Sequence, residues 1–187
     1  MNGAPRARAR VYDDPMAIDG RIKKLAKGLS ARQAADAFVR AQEDPQSLSD
    51  VDRGKADEFE ATVECMFLMA AVDGDIGDDE LAQLSASVEA FAELEQMGRV
   101  DLGATLSKMN DRLATEGWNK RLAAVAAKLR DPEARSFAFR LAAGVAFVDD
   151  HVAHAEAAAL EALAGALHLS SDESQEILYD VRETLFS

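Results

Sequence analysis

The stretch Ala70-Ala71-Val72-Asp73-Gly74-Asp75-Ile76-Gly77-Asp78-Asp79-Glu80 decides how the rest of the chain is read. An apolar run, Val63 to Val72, enters it, and an amphipathic run from about Asp78 to Glu93 leaves it. Between them sit five acidic side chains, two glycines and a single isoleucine. A simple turn between helices does not require that much negative charge. Carboxylates crowded into one turn repel one another unless water, a basic partner or a cation compensates. The pattern returns later in the chain, with Asp149 in the place of Asp73, as Ala146-Phe147-Val148-Asp149-Asp150-His151-Val152-Ala153-His154-Ala155-Glu156. An Asp, a β-branched apolar residue three places on and a Glu seven places on recur in register.

Working outward, the periodicity is helical throughout. Apolar residues recur at helical spacing in Phe59, Val63, Met66, Phe67 and Ala70, and again in Leu81, Leu84, Val88, Phe91 and Leu94. Similar stripes run through Leu102, Leu106, Met109 and Leu113, then Phe137, Leu141 and Val145, then Leu160, Leu163 and Leu167, then Ile177, Leu178, Val181 and Leu185. The density of apolar residues from Cys65 to Val72 predicts burial on nearly all sides. Pro132 suits a first helical position, and Ser170 with Glu173 forms a capping box. Residues 44–55 read as an acidic loop before a helix over 56–72. Few aromatics, four prolines and abundant alanine fit the same class. The expectation is an all-α, pseudo-two-fold bundle of about seven to nine helices. Two helix–acidic turn–helix hairpins, residues 57–95 and 132–168, form its frame. Residues 1–14 read as a disordered basic arm and residues 15–187 as one helical domain.

The formal net charge of −13 is unevenly spread. Residues 1–43 carry a net of +4, residues 44–98 a net of −13, residues 99–140 a net of +4 and residues 141–187 a net of −8. Each acidic block holds one copy of the hairpin. This balance argues against nucleic-acid binding, which rests on neutralising phosphates. No apolar run approaches the roughly 18 residues of a membrane span. The Arg-rich start (Arg6, Arg8, Arg10) lacks a signal core, although the arm offers peripheral contact with anionic lipid. Cys65 is the one cysteine and reads as a buried thiol in a reducing, cytoplasmic setting. Trp118 opens a basic stretch with Lys120, Arg121, Lys128 and Arg130, read as a solvated face anchored by the indole, or else a docking surface for an acidic partner or a second copy. No nucleophile elbow, phosphate-binding glycine loop, Cys/His pair or zinc helix is present, so the expectation is not an enzyme.

The run Ala-Val-Asp-Gly-Asp-Ile-Gly-Asp-Asp-Glu-Leu, its second copy and the later Leu-His-Leu-Ser-Ser-Asp-Glu resemble the tellurite-resistance TerB-like family over about residues 57–186. The resemblance implies an all-α pseudo-symmetric bundle and a cation site, calcium foremost, built from the two turns. By position its ligands would be Asp73, Asp75, Glu80, Asp149 and Glu156. It also implies a non-enzymatic partner protein of stress response, chemical resistance or phage and colicin defence. The second copy departs from the pattern: Asp150 replaces a glycine and His151 replaces the acid found at Asp75. His151 suits Zn²⁺ or Mn²⁺ better than Ca²⁺, which takes oxygen ligands, so the metal's identity stays open. His154, three residues after His151, would stand beside it on a helix. The turn is not an EF-hand, because its twelfth position is Leu84, not Glu. Two structural readings compete with metal. Glu80 and Glu156 can cap the helices they begin, and the whole chain can be a metal-free scaffold or oligomerisation protein.

Overall fold

Residues 61–69 are buried without interruption, from Ala61 to Met69, and this fixes the centre of the molecule. A helix buried on every side must be surrounded by other helices. A computed structural model describes residues 22–26, 31–74, 76–92, 102–147 and 154–186. Among these, eight helices follow one another: α1 (Ala31–Glu43), α2 (Asp50–Ala70), α3 (Asp78–Ala92), α4 (Leu102–Glu116), α5 (Trp118–Lys128), α6 (Pro132–Ala146), α7 (His154–Ala166) and α8 (Ser171–Phe186). Residues 22–25 form a further helical turn, and no strand occurs among the described residues. The all-α expectation holds. The arm at residues 1–14 lies outside the described residues.

The most extensive packing joins α2 to α6, followed by α1 against α2. The contact joins a helix with large buried side chains, including Met66 and Phe67, to one whose buried residues include the small Ala138, Ala142 and Ala143. Small residues on one helix let large ones on the other fill the space at crystal-like density. Gly144 of α6 makes a close approach of its own, to the turn at 22–25. A Cβ there would come within 2.5 Å of Leu25 Cδ1 and 3.0 Å of Ile22 Cδ1. The turn at 22–25 therefore rests on the last turn of α6. On the other flank Phe38 of α1 meets Phe59 of α2, ring centroids 5.0 Å apart.

The loop expected over 44–55 is shorter than the sequence suggests, because α2 starts at Asp50. Ser49 is its N-cap: its Oγ accepts from the Asp52 N–H and donates to Asp52 Oδ2. Asp50 and Asp52 in the first turn oppose the helix dipole. The acidic residues that suggested a loop are a helix start.

The hairpin repeat is visible in the helix boundaries. α2 ends at Ala70 and α6 at Ala146, and these two ends recur at the offset that separates Asp73 from Asp149. The exits match as well. The Ala71 N–H donates to Phe67 O at 2.9 Å, and the equivalent Phe147 N–H donates to Ala143 O at 2.9 Å. The equivalent helices α2 and α6 pack on each other, as an internal two-fold requires.

Candidate functional site

The first acidic turn leaves α2 after Ala71, whose backbone still bonds to the last helical turn. Gly74 follows with φ 118, a left-handed conformation that costs other residues strain, and its N–H donates to Ala71 O. Ile76 then turns inward and is buried. That one apolar anchor lets the surrounding carboxylates stay at the surface. Gly77 is the cap of α3: its N–H donates to Glu80 Oε2 at 3.0 Å, and its carbonyl accepts from Leu81. Glu80 therefore has the capping role open to it from the sequence. Asp73 is exposed in the turn. Glu156 is half-buried in the first turn of α7, where Glu80 sits in α3.

Asp75, Asp149, Asp150 and His151 lie outside the described residues. His154 is the exposed first residue of α7. Among the described residues no three His, Cys, Asp or Glu side chains converge as a metal site. The donor set that is described, Asp73, Glu80 and Glu156, offers only oxygen, which suits a hard cation such as Ca²⁺. The structure also relates the two ends of the repeat. Val72 and Gly74 of the first turn and Ala155 at the start of α7 border one open groove of about 530 Å³. The first acidic bend and the helix that follows the second lie at the same end of the bundle.

What holds the exit of α2 in place was missed in the sequence. Arg121 belongs to the stretch that the sequence presents as a solvated basic face, yet it is 7 % exposed. Its guanidinium forks onto Glu64, which is 1 % exposed, with Nε to Oε1 at 2.7 Å and an Nη to Oε2 at 2.9 Å. A second Nη reaches Glu116 Oε2 at 3.1 Å. Hydrogen bonding to Glu64, which outweighs burial, raises the Arg121 pKa and keeps the guanidinium firmly charged. One turn along α2, the Leu68 carbonyl accepts from Trp118 Nε1 at 3.1 Å. That carbonyl belongs to the last turn of α2, where helix carbonyls lack intrahelical partners. So α5, through two residues three apart, grips α2 at two points one turn apart and fixes where the acidic turn departs. The signal was available: Glu64 is a lone charge in an apolar run and cannot be buried unpaired. Which of the many arginines would answer it is a tertiary fact. Lys120 and Arg130 do lie at the surface, and Lys128 is half-buried with Nζ 4.0 Å from Glu60.

Cys65, beside Glu64, is fully buried. Burial, with the Glu64 carboxylate adding to it, pushes its thiol up and makes it a packing residue, not a nucleophile.

The family model for tellurite resistance protein TerB matches residues 59–178, well over half of the chain. The chain belongs to the TerB family. No curated protein and no solved structure matches the chain. The TerB match starts at Phe59 in the middle of α2, takes in both acidic turns and ends at Leu178 within α8. It thus spans the buried half of α2, the α5 clamp and both copies of the hairpin. The helix α1 and the turn at 22–25 lie before it and pack onto the TerB core from outside the match.

Proposed function

We propose that this TerB-family chain is a non-enzymatic interaction module whose two acidic turns take up a divalent cation, calcium foremost. It would act in a stress or tellurite-resistance-type system, in the cytoplasm, through a protein partner or a second copy. The ligands would be Asp73, Asp75, Glu80, Asp149 and Glu156. Asp150 and His151 stand close in sequence, and His151 admits zinc or manganese as the alternative. The cation would neutralise carboxylates that otherwise repel and so fix one hairpin against the other. One observation supports this reading: Val72 and Gly74 of the first acidic turn and Ala155 in the first turn of α7 border the same groove.

Calorimetric titration of the whole protein with Ca²⁺, Mn²⁺ and Zn²⁺ tests it. Asp73→Asn and Glu80→Gln should each weaken binding about tenfold or more, the scale seen even for outer-shell partners of a metal. Absence of heat with all three ions removes the cation from the account. A second reading is favoured by the hydrogen bond from Gly77 to Glu80. On it the carboxylates are helix caps of a metal-free scaffold. Asp73→Asn with Asp149→Asn would then leave stability unchanged or raise it, with or without calcium.

A further inference from the structure

Trp118 bonds to the end of α2 and shares a groove with the start of α7, so it stands between the two copies of the repeat. Gly117 alone separates α4 from α5, and its N–H donates to Leu113 O while its carbonyl accepts from the Arg121 N–H. That joint sets the indole against the last turn of α2. A helix that continued there would bond the Val72 N–H to the Leu68 carbonyl, four residues back. Instead the Val72 N–H donates to Met69 O at 3.4 Å, and the indole Nε1–H donates to Leu68 O at 3.1 Å. A side chain of α5 thus holds the carbonyl that would carry α2 onward, and the acidic bend starts there. The same indole borders the groove together with Val72, Gly74 and, from α7, Ala155 and Ala158. Asp73 lies between two residues of that border, and Glu156 directly follows a third.

We propose that Trp118 is the positioning residue of the cation site: its indole N–H fixes where Asp73 leaves α2, and its ring lies where the two acidic bends close on each other. The inference rests on the cation reading and names the residue through which that site is set. Trp118 offers no oxygen to a cation and acts through the backbone that carries Asp73. Without the indole N–H, the Val72 N–H is the natural partner for Leu68 O. α2 then gains a residue, and Asp73 leaves it in a different direction. Without a cation, like charges on the bends repel and hold the groove open. A cation held by Asp73 and Glu156 draws their neighbours Gly74 and Ala155 together, which narrows the groove over the ring.

Trp118 is the one tryptophan, so its emission reports on this place alone. Titrating the full-length protein with Ca²⁺ should shift that emission to the blue and reduce its quenching by acrylamide, saturating together with the calorimetric heat. This arm uses the parent protein and does not depend on the fold of any variant. Trp118→Phe keeps a ring in the groove and removes the N–H. It should weaken calcium binding about tenfold or more, the scale of an outer-shell change at a metal, while far-ultraviolet circular dichroism stays that of the parent. Leu113→Ala trims the same groove without touching the bond to Leu68, and should bind calcium as the parent does. The proposal is overturned if calcium binds and the emission stays where it was, if Trp118→Phe binds as tightly as the parent, or if Leu113→Ala loses as much as Trp118→Phe. Binding lost in Asp73→Asn but kept in Trp118→Phe removes the role of Trp118 and leaves the cation reading standing. Absence of heat with Ca²⁺, Mn²⁺ and Zn²⁺ removes both.

Discussion

Replacing Arg121 with methionine isolates the clamp between α5 and α2. Of its three hydrogen bonds, two go to Glu64 and one to Glu116. The Glu116 side chain is 28 % exposed and can rehydrate. The Glu64 side chain is 1 % exposed and cannot. The loss is therefore dominated by an orphaned buried carboxylate, which costs about 3–5 kcal/mol. Against a usual stability of about 5–15 kcal/mol this is a large share. It corresponds to a fall in Tm of roughly 6–20 °C at about 2–4 °C per kcal/mol for a chain of this size. Urea unfolding followed by circular dichroism at neutral pH measures this without relying on Trp118. Adding Glu64→Leu to the variant should return most of the loss, because an apolar pair of similar volume replaces a buried ion pair at little cost. The reasoning is refuted if Arg121→Met costs under about 1 kcal/mol, or if the double variant is no better than the single.

Two further outcomes bear on the ends of α7 and α8. Glu173 accepts from both the Ser170 hydroxyl and backbone N–H, and these bonds lower its pKa. A lowered folded value means stability that is present above about pH 4.3 and lost as pH falls through that lowered value. The stability gap between parent and Glu173→Gln should thus be full at neutral pH and close in acid, as thermal melts across that range will show. His168 ends α7 at φ 57, its N–H donating to Gly165 O while the Leu169 N–H donates to Ala164 O. Glycine is the residue that adopts this conformation freely, so His168→Gly should raise stability by about 0.5–1 kcal/mol in denaturant unfolding.

Much of the frame was written locally. The period of Leu81, Leu84 and Val88, the proline at 132 and the box at Ser170 and Glu173 depend on neighbours within a turn or two, so helices α3, α6 and α8 were legible. The repeat of the acidic bend marks where α2 and α6 stop and where α3 starts. The cap at Ser49 is also local, but the acids that suggest a loop are the charged first turn of a helix. The carboxylates of the candidate site were named from spacing. That Glu80 bonds to Gly77 could be anticipated, because three residues separate the two.

Other features lie beyond any local rule. Nothing near Arg121 in sequence distinguishes it from Lys120, yet one is 7 % exposed and the other lies at the surface. The difference is Glu64, distant in sequence and brought opposite by the packing of α5 on α2. The groove is of the same kind, since Ala155, Ala158 and Ala162 become a wall only when Val72, Leu113 and Trp118 arrive to face them. By itself the sequence determined the helices, their repeat and the charge on each bend, because these depend on side chains close along the chain. The tertiary structure alone decided which charge is buried with which and which apolar faces are left open, because contacts between distant segments are set by how the helices pack.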